Sequence, residues 1–153
     1  MLTPVPTHLL HYVWADALPY IQLAVDESND KITATDILMK CLDGHYVLWV
    51  WVENDKSIAA FVTQIVEYPQ RKSLSIPFIG GESHRMDTWF DASLAVFEGY
   101  AKEHKCDLVE GYGRRAWLKH IQPRGFRIGY IVFEKDLRSL SQGSSNPNFS
   151  KGP

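Results

Sequence analysis

Tyr46-Val47-Leu48-Trp49-Val50-Trp51-Val52 is the stretch on which the fold turns. Every position in it is β-branched, aromatic or leucine, which is strand chemistry. Both alternating sets of side chains are apolar, so this strand calls for cover on both faces. Upstream of it the apolar spacing is helical, and here it becomes two. Helices before it and further strands after it predict an α+β domain.

Working back from Tyr46, Gly44 ends a short helix that Thr33 or Thr35 caps. Ile37, Leu38, Cys41 and Leu42 form its apolar stripe. Ser28-Asn29-Asp30 breaks the chain before it. Trp14, Leu18, Ile21 and Val25 recur at spacings of four, three and four, which predicts a first helix starting at Trp14. On that start Pro19 falls in the first turn, where proline is tolerated. Residues 1–13, with Pro4 and Pro6, read as an extended arm or a short edge strand.

Working forward, Glu53-Asn54-Asp55-Lys56 reads as a turn and Ser57 to Tyr68 as a second strand, ended by Pro69. Ser73 to Ile79 is the third, with Leu74, Ile76 and Phe78 expected on one face and a bulge or broken pairing at Pro77. Gly80-Gly81 is expected to open a loop. A long helix runs from about Asp87, its expected N-cap, to His104, with Phe90, Leu94, Phe97 and Ala101 on the buried face. Cys106 to Gly111 is a fourth strand, Arg114 to Gln122 a fourth helix stopped by Pro123, and Tyr130 to Glu134 a final strand. The expected architecture is a mixed, mostly antiparallel sheet with helices on both faces. It spans residues 1–138, followed by a flexible tail at 139–153 rich in Ser, Asn, Gly and Pro.

The bulk properties narrow the function. A chain of 153 residues is of single-domain size and buries enough surface to need no disulfide or metal staple. A net charge of −2 lacks the basic footprint of a nucleic-acid binder. The short basic set of Arg114, Arg115, Lys119, Arg124 and Arg127 suits at most a phosphate-bearing small molecule or an acidic partner surface. Cys41 and Cys106 have no paired spacing and read as buried free thiols, in keeping with a reducing cytoplasm. No metal-ligand spacing, Walker loop or Ser-His-Asp pattern is present. Met1 to His11 has no signal-peptide pattern, and no apolar run is long enough for a membrane span.

Ala116-Trp117-Leu118-Lys119-His120-Ile121-Gln122-Pro123-Arg124-Gly125-Phe126-Arg127, a short helix running into a Gly-Phe pair, resembles the helix-four ending of the GNAT N-acetyltransferase superfamily. The order of elements from about residue 14 to 137 resembles it too. Gly125 supplies the left-handed residue that ends the helix, and Phe126 is expected to plug the core. Leu48-Trp49-Val50, Ile79-Gly80-Gly81-Glu82 with Trp89, and Glu110-Gly111-Tyr112-Gly113-Arg114-Arg115-Ala116-Trp117 further resemble small GNAT-like proteins of tailed phages.

The resemblance implies a gap between two splayed strands that admits the pantetheine arm of acetyl-CoA, with the pyrophosphate on backbone N–H groups at the next helix. The matching segment is Phe78 to Thr88. Ile76, Phe78, Gly80, Gly81 and Arg85 are the implied cofactor contacts, and no metal is implied. Gly-Gly-Glu-Ser-His-Arg-Met-Asp replaces the family's glycine-patterned loop, and Glu82 and Asp87 would repel a pyrophosphate. Ile121 stands where many members carry a tyrosine acid, so His120 or Tyr112 is the substitute candidate. Glu67 and Glu110 are the candidate general bases. Two functions follow: acetyl transfer to a small-molecule or protein amine, or an inactive scaffold acting as a virion-associated or host-interacting phage protein.

Overall fold

The computed structural model describes residues 1–28 and 30–138, so the tail expected at 139–153 and Asn29 lie outside the described residues. The chain forms two compact units, Met1–Ala116 and the part from Trp117 onward. The first unit holds one sheet in the order β1-β2-β3-β4-β5: β1 is Leu2–Pro4, β2 Val47–Glu53, β3 Lys56–Glu67, β4 Lys72–Gly81 and β5 Leu108–Gly111. The first three pairings are antiparallel, and β4 with β5 is parallel. The N-terminal arm is therefore an edge strand, with the Met1 amine donating to Val52 O at 2.9 Å. Helices α1 (Leu10–Asp26), α2 (Ala34–Leu42) and α3 (Met86–Glu103) complete the unit.

Local chemistry sets the boundaries. Thr33 caps α2 through a reciprocal box: its hydroxyl accepts from Asp36 N at 3.2 Å, while its own N–H donates to the Asp36 carboxylate at 2.9 Å. Gly44, at φ +88°, ends that helix in the left-handed region. β2 and β3 join through Asn54 and Asp55, both at positive φ, which suits the right-handed twist of a tight hairpin.

Alternation then sorts the side chains into two layers. Leu48 and Val50 of β2, with Ala60 and Val62 of β3 and Phe78 of β4, pack with Ala17, Ile21 and Val25 of α1 and with Ile37 and Cys41 of α2. The opposite face carries aromatics toward α3: Trp49 lies edge-on to Phe97 with centroids 5.2 Å apart, and Phe61 to Trp89 at 5.7 Å. The buried Trp49 indole N–H donates to Thr63 Oγ1 at 2.8 Å, so its polar edge is satisfied. Each such ring contributes about 1.5–3 kcal/mol relative to exposure.

Several expectations need correction. α1 begins at Leu10, one turn earlier than Trp14, so Pro19 lies inside the helix and leaves the Ala15 carbonyl without its helical donor. α3 takes Arg85 at its N-cap position with no side-chain capping hydrogen bond, and Asp87 sits in its first turn instead. Gly80 and Gly81 close β4 rather than open a loop. Leu74 and Phe78 do not share a face. Phe78 is opposite Val62 and Leu74 opposite Ile65, an odd number of residues apart on β3, because β4 carries one extra residue between Ser75 and Phe78.

The second unit departs further. Arg114 to Gln122 is not one helix: Arg115–Trp117 is a 3₁₀ turn, α4 is only Leu118–Ile121, and Gln122–Arg124 is again 3₁₀ and includes Pro123. Gly125 does take the left-handed conformation, at φ +91°. Phe126 is half-buried rather than a full core plug, and Tyr130 to Glu134 carries no strand.

Two glycines with opposite demands test this packing. A Cβ on Gly80 would stand 2.0 Å from the Tyr20 carbonyl oxygen, whereas one on Gly99 in α3 meets nothing within 4 Å. In denaturant titrations, Gly80→Ala is expected to cost ~1–3 kcal/mol or more. Gly99→Ala should stabilise by ~0.5–1 kcal/mol through helix propensity. The α2 cap predicts a pH effect. Hydrogen bonds from the Thr33 backbone and hydroxyl hold the Asp36 carboxyl below its ordinary 3.8. The cap's stability is therefore complete above that value and is lost as the pH falls through the lowered pKa. Asp36→Asn should flatten the acid limb of the thermal-stability profile, measured by circular dichroism.

Candidate active site

The point where β4 and β5 part follows from the chain. Ser73, Leu74, Ser75 and Ile76 stand opposite Leu108, Val109, Glu110 and Gly111. β5 ends there, while β4 runs on through Pro77 to Gly81. Pro77 offers no N–H, and the extra residue beside it bends β4, so the parallel ladder stops. Beyond Ile76 the rest of β4, about 17 Å at ~3.3 Å per residue, has no partner in β5, and this stretch of its edge is the candidate gap.

Where the pairing ends, Ile76 stands opposite Gly111, which Glu110 precedes and Tyr112 follows in the chain. The half-buried Glu110 accepts a hydrogen bond from the Tyr68 hydroxyl at 2.9 Å. Tyr112 directly follows β5 and is 54% exposed. Gly80, Gly81 and Arg85 lie at the other end, where one 3₁₀ turn, Ser83–Arg85, leads into α3. That junction is tightly held. Glu82 N donates to Ile58 O at 3.0 Å, and the Trp89 indole N–H donates to Glu82 O at 3.2 Å. The Trp89 ring leaves no room for a Cβ on Gly81, with 2.5 Å to its nearest atom.

Charge at this end is mixed. Arg85 pairs with the Glu53 carboxylate and lies 3.8 Å from that of Glu82. The Tyr20 hydroxyl is 3.5 Å from Glu82, and burial together with that carboxylate raises the phenol above its ordinary pKa. An incoming phosphate therefore meets a guanidinium that two carboxylates already engage.

The Phe78 ring and Glu67 lie apart from that stretch of the β4 edge. Phe78 turns away from α3 into the layer under α1 and α2, edge-on to Tyr46. Glu67 is at the opposite end of the β3–β4 hairpin from Gly81, exposed and 4.0 Å from Lys72. His120 belongs to the second unit, where its ring lies 5.8 Å from that of Trp117 and its carbonyl accepts from Arg124. Arg114 pairs with Glu27 at 2.7 Å. Sequence reasoning missed Tyr68, Tyr20 and Glu53 as members of these clusters. Only the adjacency of Tyr68 to Glu67 at a strand end hinted at any of them.

No protein-family model matches this chain, and no curated protein matches it. Solved structures do match. An aminoglycoside acetyltransferase from an uncultured soil metagenomic sample superposes with a TM-score of 0.70 at 10% identity, over 90% of this chain and 95% of that one. The fold is the GNAT fold. A predicted acetyltransferase from Clostridium acetobutylicum, crystallised with acetyl-CoA, gives 0.67 at 16% identity over 91% and 97% of the two chains. A ribosomal-protein-alanine N-acetyltransferase from Brucella melitensis gives 0.69 at 9% identity over 90% and 98%. Among the described residues of this GNAT-fold chain, no group of His, Cys, Asp or Glu is placed to hold a metal ion, and no helix is long and apolar enough to cross a membrane.

The two thiols differ in a way that labelling reads. Cys41 is buried beside a cavity of about 300 Å³ that Val5, Leu10 and Tyr46 also line, and burial pushes its thiol up to about 11. Cys106 is only half-buried. Iodoacetamide at mildly alkaline pH should modify Cys106 at least ~10-fold faster than Cys41, as mass spectrometry would show. Equal rates would mean that the α2 layer is open.

Proposed function

We propose that this chain binds acetyl-CoA or another acyl-CoA in the gap beside β4 and transfers the acyl group to an amine. The observation that carries the reading is the early end of β5 opposite Ile76, with β4 continuing to Gly81 and then into α3. A long linear arm fits beside such an edge, and backbone N–H groups at the start of α3 suit an anion. Ile76, Gly80 and Gly81 would border the arm, and Arg85 would meet a phosphate.

Acetyl-CoA would supply the acyl group as a thioester. Glu110, which accepts a hydrogen bond from Tyr68, would take the proton from the attacking amine. Edge N–H groups of β4 would polarise the carbonyl, and the β4 edge would align the reactants. As the new C–N bond forms and the C–S bond breaks, the thiolate needs a proton, which Tyr112, directly after β5, would give. Glu67, at the far end of its hairpin, is the weaker base. The soil acetyltransferase that shares the fold is an aminoglycoside enzyme, which supports a small-molecule amine as acceptor.

The second reading is a scaffold without catalysis. Ile121 and the carboxylates that engage Arg85 favour it. A virion-associated or host-interacting role for a phage protein rests on the sequence resemblance alone.

Calorimetric titration with acetyl-CoA, beside desulfo-CoA, separates the readings. Micromolar binding is expected, and Glu82→Gln should tighten it about tenfold by releasing Arg85, equivalent to ~1.4 kcal/mol. Glu110→Gln should leave binding intact and lower the turnover number ~10²–10⁴-fold with an accepted amine. Absence of binding at millimolar ligand would leave the scaffold reading.

A further inference from the structure

The N-terminal arm leaves the sheet after Val5, and one residue accounts for it. Val5 N donates to Leu48 O at 2.8 Å, which carries the β1–β2 ladder one step past Pro4. The next residue, Pro6, has no N–H to give and leads into the 3₁₀ turn Thr7–Leu9. On the other side α2 ends at Gly44, where a Cβ would meet nothing within 4 Å. The arm, the end of α2 and the start of β2 enclose the cavity of about 300 Å³ that Cys41 lines.

The lining selects by size and by charge. Val5, Leu10, Cys41 and Leu48 form a buried floor, while Pro6 and Gly44 are exposed at its rim, which gives a route from solvent. No residue of the lining is charged, so an ionised ligand would lose its hydration without a counter-charge. The Tyr46 ring adds a flat wall. Burial pushes the Cys41 thiol up to about 11, so it stays neutral, and a soft, polarisable sulfur suits an aromatic ring. An apolar cavity of ~150 Å³ already holds benzene. Twice that volume has room for two fused rings.

We propose that this cavity is a binding site for a small neutral aromatic molecule of one or two rings. Apolar contact with the floor and ring contact with Tyr46 and the Cys41 sulfur supply the affinity. The lining includes no residue of β4 or α3, so the site is separate from the β4 edge and its occupancy does not depend on acyl-CoA.

Calorimetric titration of the full chain with indole, in the absence of acyl-CoA, tests this directly. A dissociation constant on the order of 0.1 mM is expected. Indole-3-carboxylate should bind at least ~10-fold more weakly, because its charge finds no partner. Indole at about ten times its dissociation constant should slow methanethiosulfonate labelling of Cys41 roughly tenfold and leave Cys106 unchanged. Cys41→Met puts a longer side chain into the space, so it should weaken indole at least ~10-fold and raise the melting temperature by a few degrees. Absence of binding at millimolar indole would overturn the proposal, as would equal affinity for the carboxylate or equal protection of the two thiols. A folded Cys41→Met variant that binds indole unchanged would also overturn it. Should that variant fail to fold, the labelling pattern of the unaltered chain still decides.

Discussion

The missing N–H of Pro77 organises this molecule. A proline inside β4 cannot serve a ladder on both sides, and the strand accommodates it by taking an extra residue there. Three consequences follow from that bend. The register with β3 shifts, so Leu74 and Phe78 feed different layers of the core. Pairing with β5 stops at Ile76 and Gly111. The remaining stretch of β4 stays paired with β3, has no partner in β5, and leads toward α3.

Keeping that free stretch in place falls to close packing rather than to charge. α1 presses its Tyr20 carbonyl against Gly80 from one side, and the Trp89 ring covers Gly81 from the other. Neither position has space for a side chain, so the two glycines are required by contact and not by backbone conformation. Trp89 also ties the junction by donating to Glu82 O. Its neighbours Phe61, Phe97 and Trp49 continue the same aromatic layer across the sheet. The rigidity of the gap's outer end is thus part of the hydrophobic core, which resists deformation because interiors are close-packed.

Electrostatics at the same place run against the geometry. A helix start is suited to an anion, yet Glu53 and Glu82 stand around Arg85 and Asp87 lies in the first turn of α3. Partly exposed pairs of this kind contribute little to stability. Their larger effect is on what can approach. An anion at this helix start would meet carboxylates as well as the guanidinium, and the pairing of Glu110 with Tyr68 is separate from that cluster.

Patterning carried far into the fold and stopped at predictable places. The two-sided apolar run at Tyr46–Val52, the cap at Thr33, the break at Pro77 and the left-handed Gly125 were all legible, because each depends on one or two neighbouring residues. The start of α1, the interior position of Pro19 and the face of Leu74 were not. Packing of α1 against the sheet outweighs the local cost of a proline, and a bulge reverses alternation without leaving a mark in the sequence. The site divides the same way. Glu110, Gly80, Gly81 and Arg85 stood out by type and place, but their partners Tyr68, Tyr20, Glu53 and Trp89 come from distant segments. By itself the sequence determined the layered α+β fold and the position of its broken strand, since periodicity and turn chemistry are local. Only the tertiary structure decided that Glu110 meets Tyr68 and which carboxylates engage Arg85, because each of these depends on contacts between residues far apart along the chain.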